Sequence, residues 1–179
     1  MQVGFTYAYK ITNQISIGVA HTFNYSSLKL APNPLSSPCP TLGYPVCNKA
    51  TAMGIGGQVG IFFNSGRGIK LGVSYKSPQS FGDFDFKNTY LDGSTAPNVK
   101  FKMNCPALLS AGVGYSNKYI DAAVDYRFVN YKNTAGFKAK GWTPEFSVAG
   151  FGWKDIFIVS AGFQYKGIKK FPIRGRLYI

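Results

Sequence analysis

The sequence predicts an all-β protein, an antiparallel up-and-down transmembrane β-barrel wall of about eight strands. Three observations carry this: segment after segment alternates with period two, short and long connections alternate along the chain, and the composition opposes helix. Among 179 residues there are 21 Gly, 10 Pro, 15 Phe and 12 Tyr. Such a mixture suits pleated strands and turns far better than helices.

Other classes fall away on the same figures. With 45% hydrophobic residues the chain has ample apolar surface to fold, which excludes intrinsic disorder. A spanning helix needs about 18 consecutive apolar residues, and no such run exists. Mean hydropathy close to zero would suit a soluble protein, but a barrel strand averages an oily face with a polar one and reaches the same mean.

Taken in order, the first segment sets Phe5, Tyr7, Tyr9 and Ile11 on one face against Gly4, Thr6, Ala8 and Lys10. After a turn at 12–14, Ile15, Ile17, Val19, Phe23 and Tyr25 oppose Ser16, Gly18, Ala20, Thr22 and Asn24, with His21 alone interrupting the oily face. The third segment places Met53, Ile55, Val59, Ile61 and Phe63 opposite Gly54, Gly56, Gln58, Gly60 and Asn64. The fourth places Ile69, Leu71, Val73 and Tyr75 opposite Lys70, Gly72, Ser74 and Lys76. A fifth runs from Ala107 to Tyr115, and its expected upper piece holds Val99, Phe101 and Met103 against Lys100, Lys102 and Asn104, with a kink at Pro106. Segments over 120–129, 156–165 and 173–179 complete the set.

Connection lengths form a second alternation. Turns are tight near 12–14, 65–68, 116–118 and 166–170, whereas long polar or Pro-rich loops lie near 29–51, 78–97 and 132–153. Every second connection is long, as in outer-membrane barrels with tight periplasmic turns and extended outer loops. Residues 1–179 therefore read as a single barrel domain, with strands of the length that a tilted membrane crossing requires.

The two faces differ in chemistry. No Lys, Arg, Asp or Glu stands on the oily face of these segments, as contact with acyl chains demands. A soluble sandwich core would be uncharged too, but its other face would carry many charges, and here that face is rich in Gly, Ser and Ala. Lys10, Lys70, Lys76, Lys100, Lys102, Arg127, Arg174 and Arg176 fall on this second face, with Asp121 and Asp125 as the counter-charges. A positive lumen favours an anionic solute, and Lys or Arg can hold a carboxylate. The alternative is pairing with those aspartates, or contact at the rims with water and lipopolysaccharide.

Cys39 and Cys47 bracket a short stretch of the first long loop and are candidates for a disulfide in an oxidising compartment, with Cys105 left over. His21 is the one histidine and no CxxC occurs, so no metal site or other cofactor is expected. Asp83 and Asp85 share a strand face but read as rim decoration, and no nucleophile elbow, phosphate loop or HExxH is present, so the chain is not expected to be an enzyme.

The order of segments resembles the FadL/TodX-type long-chain fatty acid outer-membrane transporters over most of the chain. The resemblance rests on Tyr7–Gly18, on Gly68–Ser77 followed by Phe84–Lys87, on Cys105–Tyr115, and on Gly152–Tyr165. The last is the most specific, with Trp153-Lys154-Asp155 leading into a strand that ends Gly162-Phe163-Gln164-Tyr165. The resemblance implies a monomeric outer-membrane barrel of roughly fourteen strands, plugged by an N-terminal hatch, that carries hydrophobic compounds such as fatty acids. It also implies capture by the outer loops and release through a lateral opening between strands. The chain lacks the hatch and the last strands of that pattern and ends without the usual terminal aromatic, which reads as a truncated version of the larger protein. Leu28, Leu30, Leu35, Leu42, Tyr44 and Val46 occupy the place of the outer capture loop. They form either an apolar landing groove or a loop packed on itself beneath a Cys39–Cys47 clip.

Three functional readings follow. The first is an outer-membrane channel for long-chain fatty acids or other hydrophobic compounds. The second is a closed eight-stranded barrel acting as anchor or adhesin, which the Gly-rich inner face opposes because a small barrel must fill its interior. The third is a soluble basic protein on nucleic acid, suggested by 20 Lys+Arg against 7 Asp+Glu. It is disfavoured because aromatics and charges lie on opposite faces, where a nucleic-acid surface interleaves them.

Overall fold

The structure, a computed structural model, describes residues 1–179 except 169, 170 and 172. Its strands are β1 (Gln2–Lys10), β2 (Ile15–Leu30), β3 (Cys47–Asn64), β4 (Ile69–Lys76), β5 (Ser80–Phe81), β6 (Phe84–Phe86), β7 (Val99–Phe101), β8 (Ala107–Ser116), β9 (Ile120–Asn130), β10 (Lys140–Trp142), β11 (Val148–Phe151), β12 (Ile156–Tyr165) and β13 (Ile173–Tyr178). No helix among the described residues is long and apolar enough to cross a membrane.

Eight of these strands form the wall as an antiparallel meander in the order β1-β2-β3-β4-β8-β9-β12-β13. The wall matches the predicted segments because each hairpin keeps its oily residues in register: Tyr7 opposes Val19, Val19 opposes Val59, and Val59 opposes Tyr75. A one-residue slip would throw every side chain to the wrong face. The tight turns all lie at one end; in that at 65–68, Gly66 and Gly68 take φ of 73° and 102°, values that suit glycine. The predicted turn near 166–170 lies partly outside the described residues.

β1 and β13 are the sheet's two edges and are not paired with each other, so the eight strands form an open wall rather than the closed eight-stranded barrel of the second reading.

The long connections differ from expectation in two respects. β2 and β3 run on to Leu30 and back to Cys47, so the first loop is shorter than predicted, and the hairpin rises well above the neighbouring strands. The piece around Val99–Phe101 is not the upper part of β8: it forms β7, which pairs with β6 in a separate two-stranded sheet. Alternation signals a strand without naming its partner. Lys100 and Lys102 accordingly leave the inner wall and belong to the loop assembly.

The three long loops fold together into a cap. Asn33 Nδ2 donates to Asn88 Oδ1 at 2.9 Å, and Val46 exchanges backbone bonds with Thr89 at 2.8 and 3.0 Å. The Val148 amide reaches the Pro34 carbonyl at 2.8 Å, and the Tyr44 hydroxyl reaches the Phe146 carbonyl at 2.7 Å. Beneath these ties lies the molecule's hydrophobic core, with Leu35, Cys47, Ala50, Phe81, Phe84 and Phe86 at its centre. Of the wall, the raised tops of β2 and β3 contribute to it, through Leu28, Leu30, Cys47, Ala50 and Ala52. Total accessible surface is 12095 Å², against roughly 8,500 Å² for a compact globule of this mass, as an open sheet with bare faces requires.

Candidate functional site

The inner face of the wall is concave and lined by the small, polar alternation of its strands. Ser16 and Gly18 on β2, Gln58 and Gly60 on β3, Gly72 and Ser74 on β4, and Ser110 and Gly112 on β8 border a hollow of about 740 Å³. Missing side chains make the room. A volume in this range is that of a small-molecule site. Asp125 lies over Gly112, where a Cβ would collide with its carboxylate. Phe62 is an aromatic the sequence reading passed over: parity puts it on the inner face, and its ring lies against Gly72. Counting two residues on from Gly60 would have found it.

Of the predicted cations, the structure brings Lys70, Arg174 and Arg176 together around a second hollow of about 500 Å³ near the tight-turn end, with Ser116, Asp121 and Gln164. The register does this. β4 pairs with β8, β8 with β9, β9 with β12, and β12 with β13, so inward residues just beyond successive turns converge on one concave patch. Asp121 is engaged by Lys166 Nζ and the Ser116 hydroxyl, at 2.8 and 2.6 Å, and among the described residues no carboxylate lies at salt-bridge distance from Lys70, Arg174 or Arg176. Lys10, Lys76 and Arg127 stay apart from this group. Lys10 stands opposite Ser16, Lys76 opposite Leu108, and Arg127 opposite Ser110.

The apolar loop residues resolve toward packing. Leu35 is buried, and Leu28 and Leu30 lie against the cap core; Val46 and Tyr44 are half-buried, and Leu42 is partly exposed. Cys39 and Cys47 are separate thiols. Cys47 points into the cap core from its place opposite Leu30, while Cys39 closes a small turn with Gly43, its sulfur 3.4 Å from the Thr41 hydroxyl. That hydroxyl contact holds the Cys39 thiol below its ordinary pKa.

One junction between wall and cap was not foreseen. After β4 the chain turns at Pro78 and folds Gln79 and Phe81 back over β3. Gln79 Oε1 accepts bonds from Thr22 Oγ1 and Asn24 Nδ2 at 2.5 and 2.8 Å, and its Nε2 donates to the Ser77 carbonyl at 3.0 Å. Gln79 is only 3% exposed. Gly54 and Gly56 make this possible, since a Cβ at Gly56 would coincide with the Gln79 amide and one at Gly54 would lie 2.7 Å from the Phe81 ring. The signal was two bare positions on the inward face of the third segment, with Pro78 ending the fourth.

Opposite the hollow, the convex face is apolar and bare. Tyr7, Phe23, Ile55, Ile61, Val73 and Phe157 are among its exposed side chains, and on β2 and β3 the outward positions stay uncharged from the tight turns up to Tyr25 and Met53, with Lys29 and Lys49 standing above them. Soluble monomers seldom expose an apolar surface of this extent. Fold and faces together define a segment of an up-and-down barrel wall with a loop cap at one end.

Comparison with solved structures finds the fold of this segment in several larger proteins. The fold matches the toluene transporter TbuX of Ralstonia pickettii with a TM-score of 0.68 and 20% identity, over 99% of this chain and 54% of that one. It matches the monoaromatic hydrocarbon channel CymD at 0.62 and 18%, over 99% and 58%, and a Pseudomonas aeruginosa FadL homologue at 0.64 and 13%, over 99% and 49%. The chain thus spans about half the length of each, and its fold is that of about half of such a barrel. No protein-family model and no curated protein matches the sequence.

Proposed function

We propose that this chain forms part of an outer-membrane channel for hydrophobic compounds, with long-chain fatty acids as the substrate class that its inner wall fits best. The observation that carries the reading is the superposition of the whole chain on half of channels of this kind, with an uncharged apolar face outside and a hollow inner face. The convex face meets lipid, the cap faces outward, and the tight turns face the periplasm.

The inner wall suggests how an amphiphile is held. A chain of methylenes lies along the Gly- and Ser-lined hollow beside Phe62, and its carboxylate is drawn toward Lys70, Arg174 and Arg176. A charge-assisted bond of this sort contributes about 1.5–3 kcal/mol. Neutral hydrocarbons would use the hollow alone. The chain acts by binding and release without covalent chemistry, and it needs no cofactor.

Uptake of labelled fatty acid by a strain without its own channel, expressing in the outer membrane the channel of which this chain forms part, tests the reading. Replacing Lys70, Arg174 and Arg176 by Gln should weaken fatty-acid uptake by about tenfold while leaving toluene uptake within about twofold. A membrane-inserted protein that supports neither uptake would overturn it.

A further inference from the structure

The connection 131–155 carries a cluster that passage through the wall does not use. Tyr131 lies 5.0 Å from both Phe137 and Trp153, ring centre to ring centre, and Phe137 lies 4.9 Å from Trp153 and 5.6 Å from Phe151. These rings are not a closed core, because Phe151 and Trp153 remain about half exposed, at 45% and 50%. The cluster begins just beyond the point where β9 and β12 end. The last outward rings of those strands, Phe128 and Phe157, stack there at 5.0 Å.

Around the rings stand Lys102, Lys132, Lys138, Lys140 and Lys154, all exposed. Packing brings in Lys102 and Lys140, since Gly136 lies against the backbone of Lys102 and Gly152 against the side chain of Lys140, while Lys132, Lys138 and Lys154 adjoin Tyr131, Phe137 and Trp153 in the chain. Among the described residues the sole ion pair is Lys166 with Asp121, at the opposite end of the wall, so no carboxylate neutralises these lysines at salt-bridge distance. Asp155, the nearby acid, places an oxygen 2.9 Å from the Lys132 backbone amide. Glu145, the other acid of this connection, is exposed.

We infer that this surface binds the phosphate groups of the outer leaflet's phosphorylated glycolipid, lipopolysaccharide. Aromatic rings settle at the boundary between acyl chains and head groups, and unpaired lysines just above them meet a layer of fixed negative charge. Such a belt explains why the patch is both cationic and apolar, a pairing that neither bulk water nor the acyl layer would favour. Binding there would anchor the third loop and hold the cap at a set height over the wall. The inference rests on the outer-membrane reading above and adds a partner for the face that the transported molecule does not touch.

The test uses the chain folded in detergent and titrated with intact lipopolysaccharide, with the same lipid after phosphatase treatment, and with phosphatidylcholine vesicles. Dephosphorylation should weaken binding at least about tenfold, and so should Lys138→Glu, Lys140→Glu and Lys154→Glu combined, each lysine at such a surface contributing roughly a factor of five. Arginine at the same positions should restore binding, and Lys118→Glu, at the tight-turn end, should leave it unchanged. A folded chain that binds all three lipids alike, or in which the glutamate variant binds as tightly as the wild type, overturns the inference and leaves the channel reading intact. A chain that gives no heat-modifiable folded band in detergent defeats the barrel reading and this inference with it.

Discussion

Val73 on β4 and Phe157 on β12 turn outward and stay exposed, whereas Phe84 and Phe86, drawn from the same residue classes, are completely covered within the cap. The cap behaves like a small water-soluble domain. Its apolar side chains gather inside, its buried Asn33 and Asn88 satisfy each other and nearby backbone, and no buried side-chain nitrogen or oxygen among the described residues lacks a partner. The wall does the reverse, presenting its apolar side chains to the surroundings and keeping small and polar ones in the hollow. The difference is what the proposed membrane placement requires of a chain that meets two solvents, with the change falling where β2 and β3 rise past their neighbours.

The largest effect should come from emptying the cap. Phe86→Ala removes a ring that is 0% exposed and stacks on Phe84 at 6.4 Å, a loss of about 3–5 kcal/mol. Limited proteolysis should then cut within 77–106 while the wall keeps its heat-modifiable migration on gels. Simultaneous loss of both would erase the distinction and make wall and cap one cooperative unit.

A smaller effect is expected on the wall, and it should depend on the face. Val73→Arg, pointing outward, should cost about 2–4 kcal/mol in urea unfolding from lipid vesicles, while Ser74→Arg, one residue on and facing the hollow, should cost well under half of that. Equal losses would mean that the convex face does not meet acyl chains.

The smallest effect concerns the seam. Gln79→Ala withdraws the acceptor that serves Thr22 and Asn24, and should cost about 1–3 kcal/mol. Faster hydrogen exchange should follow in the upper half of β2 and nowhere below Ala20. If exchange is unaltered there, Gln79 rests on the wall without fastening it.

The wall was legible in the sequence because its two faces differ in chemistry, and period-two alternation records that difference residue by residue. Parity alone put Lys70, Arg174 and Arg176 inside. Their sharing one hollow was not legible, since it depends on the register of five strands whose ends are set by turns. The cap was misread for a related reason. Val99 to Met103 alternates as a wall strand would, and only the pairing of Phe101 with Phe84 reveals that it turned away. Leu28, Leu30 and Leu35 suit a landing groove and a loop packed on itself equally well, and the sequence alone does not choose between them. They pack inward once the second loop supplies Phe81, Phe84 and Phe86 to meet them.

The unequal ends of the wall also set an order of events. Four residues at 65–68 join β3 to β4, whereas residues 77–106 separate β4 from β8. Closing the longer loop costs about 2 kcal/mol more in chain entropy. The hairpins β1–β2, β3–β4, β8–β9 and β12–β13 are therefore the units able to form first and independently. They then zip side by side, and the Asn33–Asn88 and Val46–Thr89 ties, which join residues far apart in the chain, close last. Substitutions in the tight turns should accordingly slow folding, while those in the cap ties should mainly hasten unfolding.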